Sequence, residues 1–481
     1  MQDNSITQIW MSNVVLISFD ALRFDHVNDR TDVASFLHER AADGIRLNRH
    51  FSTGSGTSSS FPGIHASVLP LDHGYAGLNE QHTSLAEILR DSGVETLGVT
   101  AQTSCSSVFD YHRGFEVFED WIEHDGLNDD SGDASALETL EDSFKRTVER
   151  IPGVSRLAFE VTQRYRERNP PDCPYPQAAE VTDTSIDLVS EHLDPGDDFF
   201  IWVHYMEPHL PYHPPRDCIE SFHDGEFDIG RMYRTIQKIK RVRPDVVQAT
   251  MGDAVGEEEK EAIRDYYAAA TQFADREVNR LVGELQSGGY LNEATLIFTA
   301  DHGEELFDHG DFGHPPKLYD ELVHVPLIVD DRSGTLNHAE DVSALTSHLD
   351  LAPTVADLLE VDPSPEWRGD SMAELLAGAT DTHRKHVIAE LCHKSGLGGS
   401  VHPEQLVAAV RTEEYKYIRN RQLGSESLYD LQSDPLENVD LRSDRAEVAD
   451  SLRTVLESRL EQVRVQRRDK EITDAAKERL E

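Results

Sequence analysis

The chain has 481 residues, 38% hydrophobic and 7% aromatic, with 90 acidic against 45 basic side chains and a net charge of −45. That length fits one large α/β domain plus a smaller one, and the composition excludes disorder throughout. Acid spread along the whole chain repels nucleic acid and anionic membranes, so neither is an expected partner; it suits either a halophilic intracellular protein, screened by counterions, or an acidic interaction surface in ordinary salt.

At the N-terminus, "MQDNSITQIWMSN" has no basic start and no apolar centre, so it does not read as a signal peptide. No apolar run approaches the roughly 18 residues of a membrane helix, and the expected location is cytoplasmic. "NVVLISFD", ending at Asp20, reads as a buried parallel strand closed by an acid. "FSTGSGTSSSFPGIHAS" follows, a hydroxyl-rich glycine loop that, taken alone, is a linker. "SLAEILRDSGVETLGVTA" reads as helix, glycine stop and strand. The four cysteines, Cys105, Cys173, Cys218 and Cys392, are too scattered for a disulfide framework or a zinc knuckle.

Residues from about 120 to 195 read as an acidic, irregular insertion, and those from about 222 to 257 as a charged, weakly periodic one. Between them "DDFFIWVHYMEPH" is a second buried strand with His204 and His209 at its end. A long helix, a Gly-Gly break and the strand "ATLIFTA" then lead to Asp301-His302. Near 385 the pattern changes: "QLVAAVRTEEYKYIRN" reads as two antiparallel strands, and a charged helix starts near 444. The expected architecture is an α/β fold, a large mostly parallel sheet sandwiched by helices over residues 1–385, with a small α+β domain of antiparallel strands over 386–481.

Active sites of such sheets lie at the carboxyl ends of the strands. Asp20 and Asp301-His302 sit at two such ends. A lone aspartate there is more often a cap or loop acid, but two carboxylates and an imidazole on one sheet edge can bind a divalent cation. The histidine admits Mn²⁺ or Zn²⁺ as well as Ca²⁺ or Mg²⁺, which favour oxygen ligands.

"VVLISFDALRFDHV", "YMEPHLPY", "FTADHGEELFDHGDFGH", "YDELVHVPLIV", "LDLAPTVADLL", "EYKYIRN" and "LYDLQSDPLEN" together, in this order, resemble the sulfatase family of the alkaline phosphatase superfamily. The resemblance covers nearly the whole chain. It implies a metal-dependent ester hydrolase with an alkaline phosphatase-like fold, metal ligands Asp20, Asp301 and His302, and a nucleophile that opens a helix and also contacts the metal. Counted back from Gly74 in "PLDHG", the matching nucleophile is Thr57; a shifted register would select Ser58, Ser59 or Ser60. His209 matches the histidine that contacts the ester group. His314 matches a lysine or histidine near the leaving group, a role Lys317 could also fill. His204, Asp25, Asp308 and His309 are expected further out.

The departures matter as much as the match. Sulfatases oxidise the loop cysteine or serine to formylglycine, and threonine cannot follow that route. The arginine of the modification signature is Phe61 here, and the second aspartate of the family is Ala21. The Lys-x-His pair expected near residue 100 is not visible in "GVTAQTSCSS". An unmodified threonine resembles the phosphodiesterase and phosphotransferase branches. The expected substrates are small sulfate, phosphate or phosphonate esters. A phosphoryl or phospho-alcohol transferase and a non-catalytic binding protein are the alternatives; the oligomeric state is open.

Overall fold

The architecture is that of a computed structural model, which describes residues 13–73, 77, 78, 80–122, 173–223, 229–240, 251–334, 336, 340–392 and 403–461. In chain order its strands are β1 (Asn13–Phe19), β2 (Ile45–Leu47), β3 (His50–Phe51), β4 (Glu95–Thr100), β5 (Val117–Glu119), β6 (Phe199–Tyr205), β7 (Ala294–Ala300), β8 (Glu305–Leu306), β9 (Phe312–Gly313), β10 (His324–Val325), β11 (Leu327–Asp331), β12 (Glu340–Val342), β13 (Thr346–Ser347), β14 (Val387–Cys392), β15 (Leu406–Arg411), β16 (Tyr415–Asn420) and β17 (Ser425–Asp430). Eight of them form the main sheet in the order β12-β2-β11-β7-β1-β6-β4-β5. The five from β7 to β5 are mutually parallel, whereas β11 runs antiparallel to both β7 and β2.

Both faces of β1 are buried, which is why its sequence is continuously apolar rather than alternating. Val15, Ile17 and Phe19 pack with Val181 and Val189 of the Ala178–His192 helix and with Ile263 and Val278 of the long Glu257–Ser287 helix. Val14 and Leu16 face the other way, against Phe61 and Ile64 of the Thr57–Ala66 helix and Val355 of the Leu351–Leu358 helix. The sheet is thus sandwiched, and its carboxyl edge is left for chemistry.

The two charged insertions hold more regular structure than their composition suggests. Residues 123–172, 224–228 and 241–250 lie outside the described residues. The remainder includes the Ala178–His192 helix, whose buried positions Ala178, Val181, Thr182, Ser185 and Val189 repeat at helical spacing beneath an acidic outer face. The Ile229–Lys240 helix likewise buries Met232, Ile236 and Ile239. In both, charge on one face masks the apolar stripe on the other.

At the C-terminal end β14, β15, β16 and β17 form an antiparallel meander. One face packs on Phe51, Leu322 and Val323; the other is covered by Leu452 and Leu456 of the Ala446–Glu461 helix. The meander also braces the hydroxyl-rich loop, because the Glu390 N–H donates to the Thr53 carbonyl at 2.8 Å. Among the described residues no helix is long and apolar enough to cross a membrane.

Candidate active site

Asp20 follows β1, and Asp301 and His302 follow β7, its parallel neighbour in the sheet. Strand adjacency alone therefore brings the three together. One potential ligand atom from each lies within 4.8 Å of the others, and all three residues are fully buried. His302 Nε2 is 3.5 Å from Asp20 Oδ1 and 3.6 Å from Asp301 Oδ2.

Each of these side chains is tied on one side and unpartnered on the other. Asp301 Oδ1 accepts the backbone N–H groups of Ala21 (3.1 Å) and His302 (2.7 Å). His302 Nδ1 is 2.7 Å from the Gly303 carbonyl, which can only accept; Nδ1 therefore carries the proton and Nε2 presents its lone pair. Asp20 Oδ2 accepts from the Gln102 side-chain amide. The remaining atoms, Asp20 Oδ1, Asp301 Oδ2 and His302 Nε2, are buried without a hydrogen-bond partner. Buried orphan atoms of this kind are costly, and a divalent cation among them satisfies all three at once. The donor set fits a metal.

Electrostatics agree. Burial works against charge on Asp20, but His209, His204 and His302 hold its carboxyl below the ordinary range. Burial and the charge of Asp20 push Asp301 well above it, because two buried carboxylates share one site. Burial, helped by the neighbouring His314, lowers His302 to about 4, which keeps its lone pair available.

Thr57 is the first residue of the Thr57–Ala66 helix. Its hydroxyl lies 3.5 Å from Asp20 Oδ2. Two neighbouring hydroxyls turn elsewhere: Ser59 donates to the Gly56 carbonyl at 2.7 Å, and Ser60 lies 3.0 Å from the Gly54 carbonyl. A Cβ at Gly54 would meet Ser59 Oγ at 2.3 Å and the Glu390 carbonyl at 2.8 Å, so this turn of the loop admits only glycine. Gly74, from which the register is counted, lies outside the described residues.

Beyond the carboxylates stands a row of imidazoles. The rings of His302 and His314 are 4.8 Å apart, and those of His314 and His209 5.1 Å. His209 Nδ1 faces the Leu210 carbonyl at 2.5 Å, which fixes its proton there. His314 Nδ1 lies 3.2 Å from Glu304 Oε2, and Glu304 is fully buried with Tyr212 Oη 3.3 Å from its other oxygen. Lys317 is engaged elsewhere, 3.0 Å from Glu305 and 2.8 Å from Asp311. Asp25 and Asp308 both pair with Arg23, and His309 with Glu321, outside the central cluster.

Two residues stand closer than the sequence suggested. His204 is fully buried, with Nε2 3.9 Å from Asp20 Oδ2, because the β1–β6 register places it opposite Ser18. Gln102 follows β4, where the family resemblance implies a Lys-x-His pair; a neutral amide carries no signal of its own, so nothing in the sequence marks it.

Comparison with known proteins is consistent with this geometry. Residues 12–361 match the family model described as sulfatase, and residues 308–466 match that described as the C-terminal region of N-sulphoglucosamine sulphohydrolase. An arylsulfatase of Clostridium perfringens is 25% identical over 288 residues, 58% of this chain and 57% of that protein. The chain thus spans little more than half the length of that curated relative. The phosphonate monoester hydrolase of Agrobacterium radiobacter superimposes with a TM-score of 0.67 at 21% identity, over 94% of this chain and 96% of the other. A protein solved with its substrate D-glucosamine-2-N,6-O-disulfate does so with a TM-score of 0.67 at 15% identity, over 94% of this chain and 98% of the other. With the family model matched over most of its length and the acid–histidine cluster in place at the sheet edge, the chain belongs to the sulfatase family.

Proposed function

We propose that this protein is a metal-dependent hydrolase of small sulfate, phosphate or phosphonate esters, with Thr57 as its unmodified nucleophile. The observation that carries the reading is the Thr57 hydroxyl, 3.5 Å from Asp20 Oδ2, beside three buried, orphaned ligand atoms. Asp20, Asp301 and His302 would hold the cation, and Thr57 would complete the set. A divalent cation there lowers the pKa of a neighbouring hydroxyl and screens charge on the non-bridging oxygens of the ester.

Thr57 Oγ1 gives up its proton to solvent and attacks phosphorus or sulfur; the bond to the leaving oxygen breaks. The ester is then carried on threonine until water cleaves it and restores the hydroxyl. Its position at the positive end of a ten-residue helix favours charge developing at Thr57. His314, oriented by Glu304, delivers a proton to the departing oxygen. His209, with Nδ1 donating to the Leu210 carbonyl, meets the ester oxygens as an imidazolium that donates from Nε2. The phosphonate ester hydrolase and the sulfated-sugar-binding protein among the structural neighbours bracket the substrate class, and threonine in place of formylglycine favours phosphorus esters.

The test is a hydrolysis panel in molar KCl with Mn²⁺, Zn²⁺, Ca²⁺ or Mg²⁺, using nitrophenyl sulfate, phosphate, phosphonate and bis-phosphate esters. Metal-dependent cleavage of a phosphorus ester that disappears in Thr57→Ala is the expected result. Cleavage that survives Thr57→Ala would move the nucleophile to another hydroxyl or to water.

A further inference from the structure

The three ligand side chains are pinned in different ways. Asp301 is held by two backbone N–H groups and His302 by a backbone carbonyl. Asp20 is held through side chains, by the Gln102 amide and, at 3.5 Å from the same oxygen, the Thr57 hydroxyl. Gln102 is itself fixed at several points. Its Oε1 accepts the Ser104 N–H at 3.1 Å, which orients the amide so that Nε2 faces Asp20. Its backbone N–H lies 3.1 Å from Thr100 Oγ1, and its carbonyl accepts the Cys105 N–H at 3.1 Å. The residue is almost wholly buried.

Resting on the metal-dependent reading above, we propose that Gln102 is a positioning residue of the metal site. It engages Asp20 Oδ2 and leaves Oδ1 as the only oxygen of that carboxylate turned to the cation. Ala21 adds no second carboxylate beside it, so the set becomes two carboxylates, one imidazole and one hydroxyl, with Asp20 monodentate. Such a compact N/O set suits Mn²⁺ or Zn²⁺ better than Ca²⁺, which favours more oxygens and tolerates bidentate carboxylates. Without Gln102 the Asp20 carboxylate can rotate, and the site loses its preset geometry.

The experiment titrates Mn²⁺ calorimetrically into metal-stripped wild type, Gln102→Met and Gln102→Asn in molar KCl, and measures the metal-free melting temperature of each. Methionine keeps the length without the donor; asparagine keeps the amide but shortens its reach. Both variants are expected to bind Mn²⁺ about 10- to 100-fold more weakly with an unchanged metal-free melting temperature. Wild-type affinity in either variant overturns the proposal. So does a fall in metal-free stability that accompanies the lost affinity in both, since that marks a structural role. A wild type that binds neither Mn²⁺ nor, titrated in the same way, Zn²⁺, Ca²⁺ or Mg²⁺ overturns the metal-dependent reading itself, a separate result.

Discussion

The backbone N–H of Ala21 donates to Asp301 Oδ1 at 3.1 Å and so ties the end of β1 to the end of β7. Ala21 sits in the left-handed region, with φ 62, and its carbonyl accepts the Tyr267 hydroxyl at 2.7 Å. The position where the family has a second aspartate therefore works here through its backbone alone. Ala21→Asp keeps that clamp, because aspartate tolerates this conformation. It also adds a third carboxylate to a buried cluster. The metal-free melting temperature should fall, and Ca²⁺ affinity should rise by about tenfold or more, because ligand charge sets affinity for that ion. Thermal melts with and without Ca²⁺ read both; a melt insensitive to Ca²⁺ in the variant would place the new side chain outside the cluster.

His314, backed by the buried Glu304, predicts a dependence on the leaving group. A nitrophenolate departs without help; an alkoxide needs its proton. His314→Ala should therefore cost little with nitrophenyl esters and about 10²- to 10⁴-fold with alkyl esters of the same acid. The comparison is kcat/KM across a series of leaving groups. An equal loss across the series would assign His314 to the non-bridging oxygens instead.

Much of this arrangement is legible in the sequence, for identifiable reasons. A strand buried on both faces is a continuous apolar run, so β1, β6 and β7 announce themselves, and the acids at their ends follow. The antiparallel pair β15–β16 shows in its β-rich run and turn. Less legible were the helices Ala178–His192 and Ile229–Lys240, whose charged outer faces dominate their composition. His204 was underrated because its closeness to Asp20 depends on the inter-strand register, Ser18 opposite His204, which no local pattern encodes. Gln102 was missed because its role lies in one hydrogen bond to a residue 82 positions away.

Arg459 of the terminal helix is buried between Asp72, which follows the Thr57–Ala66 helix, and Glu390 of β14, at 3.1 and 2.9 Å. It links the small sheet to the segment behind the candidate nucleophile. Arg459→Met would strand the Glu390 carboxylate in the interior, while Asp72 keeps its 2.7 Å pair with Arg368, a loss of about 3–5 kcal/mol. Chemical denaturation should show that loss at both low and molar KCl, since a buried pair is weakly screened. Wild type itself should gain stability as KCl rises, because its net charge of −45 is screened. A variant as stable as wild type would mean that Glu390 finds another partner.

His65 gives the sharpest pH prediction. Its ring packs against Trp202 (4.3 Å), Phe61 and Tyr111, its Nε2 has no partner, and burial lowers it to about 3. The unfolded chain binds a proton there near pH 6.5; the folded one does not until about pH 3. Stability from this group is complete above pH 6.5 and drains as pH falls from 6.5 towards 3, by up to ~1.4 kcal/mol per pH unit. His348, buried and lowered to about 3, and His324, lowered to about 4, act in the same direction. Wild type should therefore weaken steeply between pH 6.5 and 5, before its exposed carboxylates titrate. His65→Leu removes one proton from that balance. Its unfolding free energy, followed by denaturant titration at pH 7.5, 6.0 and 5.0, should fall less steeply than that of wild type by about one proton's worth of slope. Parallel slopes would show that His65 takes up its proton in the folded state and that its aromatic cage is looser than the packing indicates.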